Sequence, residues 1–276
     1  MELSGKTKIL GLMGYPVTHT LSPAMHNAAC EVLGLDYVYI AFEVKPEAIK
    51  NAVEGIRALN LAGVNVTIPH KETVLPYLDE VDKEALLIGA VNTIVNRNGQ
   101  LCGYNTDGRG FIESLKEAGV RPERQRVLLT GAGGAARAIA FSLALHKASA
   151  VAIYDIDQHK ARTLIQAVSK AEPLCQVVEG RPENVQDYNI VINATPLGLK
   201  DSDPLPVDPS LLGQDHVVYD AIYRKTKLLE QAQSRGAMAI DGSGMLLWQG
   251  ALAFEIWTGK KPPVDVMRKA LMSKRA

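Results

Sequence analysis

Gly131, Gly133 and Ala136 stand at the spacing G-x-G-x-x-A directly after the apolar run Val127 to Leu129, and residues 134–146 are apolar on nearly every face. The pattern reads as a buried parallel strand, a tight turn and a helix packed on a sheet. One glycine makes such a turn, the next lets backbone approach a pyrophosphate, and the helix N-terminus stabilises the negative charge. Gly131, Ala132, Gly133, Gly134 and Ala135 are therefore candidate dinucleotide contacts. A second strand over 150–154 ends in Asp155-Ile156-Asp157, a little more than twenty residues beyond the glycines. An acid there accepts both ribose hydroxyls of NAD and repels the 2′-phosphate of NADP, which normally meets Arg or Lys. The stretch Asp155 to Gln158 holds neither, so the sequence predicts NAD through Asp155, with NADP as the alternative cofactor. Asp157 reads as the cap of a helix starting near Gln158.

A turn of this kind beginning after more than a hundred residues implies a separate upstream domain that supplies the substrate. Residues 8–13, 37–44 and 63–67 read as strands, alternating with helices over 22–33 and 46–59. Ser22 and Pro23 form an N-cap and N1 pair, and Gly34 stops the first helix. Segments 90–96 and 101–105 flank Arg97-Asn98-Gly99-Gln100, whose Asn-Gly centre predicts a hairpin. Strand and helix alternation resumes over 125–241, with strands near Val127, Val151, Ile190, Val217 and Met238, and two helices follow over 245–258 and 263–272. The expected fold is α/β: a substrate-binding and catalytic domain with a mostly parallel sheet over 1–107, joined by the C-terminal helices 245–276, and a Rossmann-type domain over 108–244.

The 276 residues are 47% hydrophobic and carry 30 Lys and Arg against 30 Asp and Glu. Zero net charge, with no basic run beyond the tail Lys274-Arg275, gives no electrostatic reason to expect nucleic acid or an anionic membrane. Gly11, Gly14 and Pro16 interrupt the apolar segment behind Lys6 and Lys8, so it reads as a first strand rather than a signal peptide. Cys30, Cys102 and Cys175 have neither metal spacing nor an even count and read as packing residues in a reduced cytoplasm. The expected partner is a small molecule, the expected metal none, and the expected assembly a monomer or homodimer.

Thr20 and Ser22 place two hydroxyls before a helix N-terminus, where donors and dipole together suit a carboxylate; capping alone would also account for Ser22. Further polar clusters follow: 14–27 (Gly-Tyr-Pro-Val-Thr-His-Thr-Leu-Ser-Pro-Ala-Met-His-Asn), Asn65-Val66-Thr67-Ile68-Pro69-His70-Lys71, Gly89-Ala90-Val91-Asn92-Thr93, Gly103-Tyr104-Asn105-Thr106-Asp107-Gly108, Asn193-Ala194-Thr195-Pro196-Leu197-Gly198, and 241–250 (Asp-Gly-Ser-Gly-Met-Leu-Leu-Trp-Gln-Gly). These six ordered motifs resemble the shikimate dehydrogenase family, including its quinate/shikimate dehydrogenase branch.

The resemblance implies reversible reduction of 3-dehydroshikimate to shikimate with NAD(P)H, in the cleft between the two domains. By itself Lys71 reads as an ordinary solvated loop lysine; the resemblance makes Lys71 and Asp107 the pair that brackets the ring hydroxyl and handles its proton. It assigns Thr20 and Ser22 to the substrate carboxylate, Asn65, Thr67, Asn92 and Gln249 to the ring, and Thr195 to the cofactor. The family commonly has two more residues after the matching Tyr than are found in 219–226, so Tyr223 is a weaker carboxylate contact, and Arg224 or Lys225 is an alternative contact for cofactor phosphate. Other readings are an NAD-dependent quinate/shikimate dehydrogenase running oxidatively, and a nicotinamide sensor without catalysis. Gly-rich joints at 108–110 and 242–244 suggest hinges.

Overall fold

The computed structural model describes residues 3–274; Met1, Glu2, Arg275 and Ala276 lie outside, and with them the arginine of the basic tail. The chain divides into two compact units, Met1–Thr106 with Leu247–Ala276, and Asp107–Leu246.

The first unit opens with β1 (Lys8–Gly14), α1 (Ser22–Val32), β2 (Tyr37–Glu43), α2 (Ile49–Ala58) and β3 (Gly63–Val66). β4 (Glu80–Val81), α3 (Lys83–Ile88), β5 (Thr93–Arg97) and β6 (Gln100–Tyr104) follow. The sheet runs β2-β1-β3-β5-β6-β4. β1 is parallel to both neighbours, whereas β5 is antiparallel to β3 and β6, so the sheet is mixed. Asn98 and Gly99, at φ 55° and 94°, form the expected two-residue hairpin turn, which requires positive φ at both positions. Met13, Val53, Ile56, Val64, Ile94 and Leu101 share one buried cluster beneath the sheet.

Three short elements carry no sequence signal: β4, α3 and a strand of the second unit, Gln176–Glu179, are two, six and four residues long, too brief for a period to register. α3 depends on its ends, Asp82 accepting the Glu84 N–H at 3.0 Å and Gly89 closing it at φ 72°. At α1 the cap differs from expectation. The N-cap position is Leu21, and the Thr20 hydroxyl accepts the Ser22 N–H at 3.3 Å, so Ser22 lies inside the helix with its own hydroxyl turned to other use.

The second unit begins with α4 (Asp107–Glu117) and continues through β7 (Arg126–Thr130), α5 (Gly134–Leu145), β8 (Ala150–Tyr154), α6 (Gln158–Ala171) and β9 (Gln176–Glu179). β10 (Ile190–Asn193), β11 (Val217–Asp220), α7 (Lys227–Ser234) and β12 (Met238–Asp241) complete it. All six strands are parallel in the order β12-β11-β10-β7-β8-β9. Numbered from β7 this is the doubly wound order 3-2-1-4-5-6 read from the far edge, which opens a crevice where β7 meets β10. The glycines expected as hinges have a packing role. A Cβ on Gly108 would fall 2.2 Å from Ser142 Oγ, one on Gly242 would fall 2.2 Å from the Ala221 oxygen, and one on Gly244 would fall 2.3 Å from Ser114 Oγ.

α8 (Ser243–Thr258) and α9 (Val264–Ser273) close the chain, and α9 packs on α1 within the first unit. The Trp257 indole of α8 donates to the Ile94 carbonyl at 2.9 Å and fills the space beside Gly63. All three cysteines are buried free thiols, and burial pushes the Cys30 thiol up to about 11. A Cβ at Gly63 would lie 2.3 Å from Trp257 Nε1 and 2.5 Å from the Ile94 oxygen, with backbone on one side that cannot yield. Gly63→Ala should therefore cost at least about 2 kcal/mol of stability in a urea titration, and a midpoint unchanged from the parent protein would contradict this packing.

Candidate active site

In the first unit, the segments leaving β1 and β3 run side by side. Tyr15 N–H donates to the Ile68 carbonyl and Thr67 N–H to the Met13 carbonyl, both at 2.9 Å. Gly14 makes the approach possible, because a Cβ there would fall 2.3 Å from the Thr67 methyl. The Lys71 carbonyl accepts the Val91 N–H at 2.7 Å, which anchors the lysine's backbone one residue from Asn92.

Behind these loops lies a buried polar network. The Tyr39 hydroxyl donates to Asn65 Oδ1 at 2.7 Å. Asn65 Nδ2 donates to the Asn92 carbonyl at 3.0 Å and to Thr93 Oγ1 at 3.1 Å. Thr93 passes its own proton to Asn92 Oδ1 at 2.9 Å, and Asn92 Nδ2 donates to Thr106 Oγ1 at 2.9 Å and reaches Gln249 Oε1 at 3.5 Å. The Thr106 N–H returns to Asn92 Oδ1 at 2.9 Å. Ser22 hydrogen-bonds the Tyr39 phenol, opposing the burial that pushes that phenol far above its ordinary range. The network thus links Ser22, Asn65, Asn92 and Gln249 of the expected site, with Thr20 attached through its bond to the Ser22 amide.

A donor count refines the expectation for Asn65. Both of its N–H bonds are committed inside the protein, leaving one carbonyl lone pair, so it serves chiefly to orient its neighbours. Tyr39 and Thr93 carry no recognisable sequence signal: each reads as a strand residue, and the Tyr39 partner is 26 residues away. Thr106 lies within the motif 103–108, where nothing in the sequence singles it out from its neighbours.

In the second unit, Gly131 holds φ +108°, and its N–H donates to the Tyr154 carbonyl at 2.7 Å. A Cβ there would strike the Ala194 oxygen at 2.8 Å, next to Thr195. Above Gly133 the space is open, with nothing within 4 Å of a built Cβ, and no side chain caps the N-terminus of α5. Uncapped N–H groups beside open space suit a pyrophosphate. Asp155 accepts the Ala132 N–H at 2.7 Å and the Asp157 N–H at 2.9 Å, which aims its carboxylate at the turn. A carboxylate has about four acceptor positions, so two remain for a diol. Gly131 to Ala135, Asp155 and Thr195 therefore come together, and these residues fit a dinucleotide. Asp157 caps α6 through the His159 and Lys160 N–H groups.

Thr195 donates to Asn193 Oδ1 at 2.7 Å, Asn193 Nδ2 donates to Asp220 Oδ1 at 3.0 Å, and Thr226 donates to Asp220 Oδ2 at 2.7 Å. This network fixes the loops after β10 and β11. Arg224 donates to the Gly198 and Leu199 carbonyls at 2.8 and 2.6 Å, so one of its terminal nitrogens braces the loop after β10. Tyr223 is 38% exposed, and partial burial raises its phenol pKa. Asp107 is 4% exposed at the start of α4. Among the described residues no three His, Cys, Asp or Glu side chains gather as a metal site requires, and no helix is long and apolar enough to cross a membrane.

Residues 12–94 match the shikimate dehydrogenase substrate binding domain and residues 242–272 the shikimate 5'-dehydrogenase C-terminal domain. A shikimate dehydrogenase (NADP(+)) of Desulforamulus reducens is 46% identical over 280 residues, covering 98% of this chain and 96% of the relative. The chain belongs to the shikimate dehydrogenase family. Solved members agree in fold: that of Aquifex aeolicus is 42% identical, with a TM-score of 0.92 over 98% of this chain and 99% of its own. The shikimate 5-dehydrogenase of Listeria monocytogenes, solved in complex with shikimate and NAD, is 39% identical, with a TM-score of 0.89 over 98% of each chain.

Within this shikimate dehydrogenase family member, His26 of α1 is fully buried and neither ring nitrogen has a hydrogen-bond partner. The ring lies against Tyr39, Phe254 and Trp257, and burial lowers its pKa from 6.5 to about 3. The unfolded chain therefore binds a proton near pH 6.5 that the folded chain refuses until about pH 3. Stability is fully present above pH 6.5 and falls by up to about 1.4 kcal/mol per pH unit between those values. His26→Leu removes this titration. The stability difference, variant minus parent, should grow steadily from pH 6.5 to pH 4.5 in denaturant titrations; a constant difference would mean that the imidazole is not held neutral.

Proposed function

We propose that this chain is a shikimate dehydrogenase, reducing 3-dehydroshikimate reversibly to shikimate on the route to chorismate and the aromatic amino acids. The observation that carries the reading is the network of neutral amides and hydroxyls joining Ser22, Tyr39, Asn65, Asn92, Thr106 and Gln249 beside the Lys71 segment. It sits in a chain that matches shikimate dehydrogenases from end to end. Such a set suits a polyhydroxylated ring, since a site built to hydrogen-bond hydroxyls rejects analogues that lack them. Thr20 and Ser22 take the ring carboxylate, and Thr67, Asn92 and Gln249 take ring hydroxyls. The loop at Tyr223 supplies a further carboxylate contact.

A bound nicotinamide dinucleotide supplies hydride acceptance and donation. The chain's own residues handle the proton. Lys71 and Asp107 form the acid–base pair at the reacting hydroxyl, and the Lys71 ammonium stabilises the charge developing on that oxygen. Gly131 to Ala135 and the α5 N-terminus receive the pyrophosphate, with Thr195 beside them. Asp155 receives the adenosine ribose. NAD is the preferred cofactor, because Asp155 presents two remaining acceptor positions to a diol and a negative charge to a 2′-phosphate.

Initial rates of shikimate oxidation test each part. NAD should exceed NADP in kcat/KM by tenfold or more, about 1.4 kcal/mol, and Asp155→Asn should narrow that gap; preference for NADP would overturn the ribose assignment. Lys71→Ala should lose at least about 100-fold in kcat. Turnover within about threefold of the parent, roughly 0.6 kcal/mol of barrier, would remove Lys71 from the chemistry. Faster turnover of quinate than of shikimate would favour the quinate/shikimate dehydrogenase branch, and no turnover with either would favour a non-catalytic sensor.

A further inference from the structure

Two successive residues of α1 grip one residue of β2. The Asn27 carboxamide closes on the Tyr39 peptide from both sides, accepting its N–H at 2.8 Å and donating to its carbonyl at 3.0 Å. His26 takes the side chain: its ring stacks on the Tyr39 ring with centroids 4.3 Å apart and planes 11° from parallel. Phe254 lies near-parallel to the same imidazole at 6.3 Å, and Trp257 leans on it at 5.5 Å. Backbone and ring of Tyr39 are thus both fixed, and its hydroxyl enters the network at Asn65 Oδ1.

Folding alone gives no reason for an imidazole here, because burying a polar ring without partners costs about 1–3 kcal/mol. What the imidazole has is flatness in a small volume. A Cβ on Gly250 would already lie 2.2 Å from Met25 Cε and 3.4 Å from His26 Nε2, so the space between α1 and α8 is nearly full and a larger ring would crowd it. We propose that His26 is a positioning residue for substrate: its flat ring is the plate that sets the Tyr39 phenol, and through it the orientation of Asn65 and Ser22. The proposal rests on the reading of this network as the ring and carboxylate site.

His26→Leu keeps the volume and removes the plate. The expected result is a rise of at least fivefold in the shikimate KM, with kcat and the dinucleotide KM within twofold. In a Tyr39→Phe background, where the hydroxyl is already gone, His26→Leu should add less than twofold to the shikimate KM. A shikimate KM within twofold of the parent in the single variant, or an equal effect in both backgrounds, would overturn the proposal. A readout independent of turnover separates its failure from failure of the functional reading. With tyrosine labelled at 13Cζ, the resonance missing from Tyr39→Phe identifies Tyr39. His26→Leu should shift and broaden that resonance while the other tyrosine signals stay in place. A Tyr39 signal unmoved by the substitution would overturn the platform even if shikimate proved not to be the substrate, whereas a moved signal in a protein inactive on shikimate would strike only the functional reading.

Discussion

The bond from the Asn65 carboxamide to the Asn92 carbonyl is the interaction on which the first unit's polar chemistry depends. It ties the end of β3 to the residue just before β5, two antiparallel neighbours in a sheet that is otherwise largely parallel. Buried amides of this kind are stabilising only when their polar atoms find partners, and the partners here are supplied by residues from four strands or their loops. Tyr39 comes from β2, Thr93 from β5, and Thr106 from the loop after β6. Deleting any one leaves a desolvated group, so the network acts as a unit that holds donors and acceptors at fixed angles before any ring arrives. Such preorganisation lowers the ordering cost of binding.

The second unit builds its turn by a different route, with a charged group in place of a neutral lattice. Its turn is fixed by Gly131, whose backbone angle and contact with the Ala194 carbonyl exclude a side chain, and by the Asp155 carboxylate, which braces the Ala132 amide. One group therefore has two tasks. It holds the turn in shape, and it leaves acceptor positions and a negative charge where the family's adenosine ribose is expected. The neighbouring relatives include a Desulforamulus reducens enzyme described with NADP(+) and a Listeria monocytogenes enzyme solved with NAD. The family's shared fold is thus found with either nicotinamide cofactor.

Most of this architecture is legible in the sequence because its signals are local. Val127 to Ala136 carries strand, turn and helix in one run, Asn98-Gly99 forces its hairpin, and Gly34 ends α1 within a residue of its expected place. Candidate site residues stand out where they cluster along the chain at element ends, as Thr20 with Ser22 and Asn65 with Thr67 and Lys71 do. What stays hidden is non-local. Tyr39 looks like any strand aromatic until the fold brings it to Asn65, and His26 looks like a helix residue until Tyr39 stacks on it. The cap at α1 differs from expectation for a related reason: Thr20 and Ser22 both offer a hydroxyl, and only the structure shows that Thr20 takes the amide while Ser22 turns to the phenol.

If the proposed reading holds, the Asn65–Asn92 lattice binds the substrate ring independently of the dinucleotide site. Asn65→Asp tests it most directly, since the substitution keeps shape but replaces the donating Nδ2 with an oxygen that repels the Asn92 carbonyl. Calorimetric titration with shikimate and, separately, with the preferred dinucleotide is the measurement. The account predicts at least a tenfold weaker affinity for shikimate, about 1.4 kcal/mol, with the dinucleotide affinity within twofold of the parent protein. Unchanged shikimate affinity would contradict it.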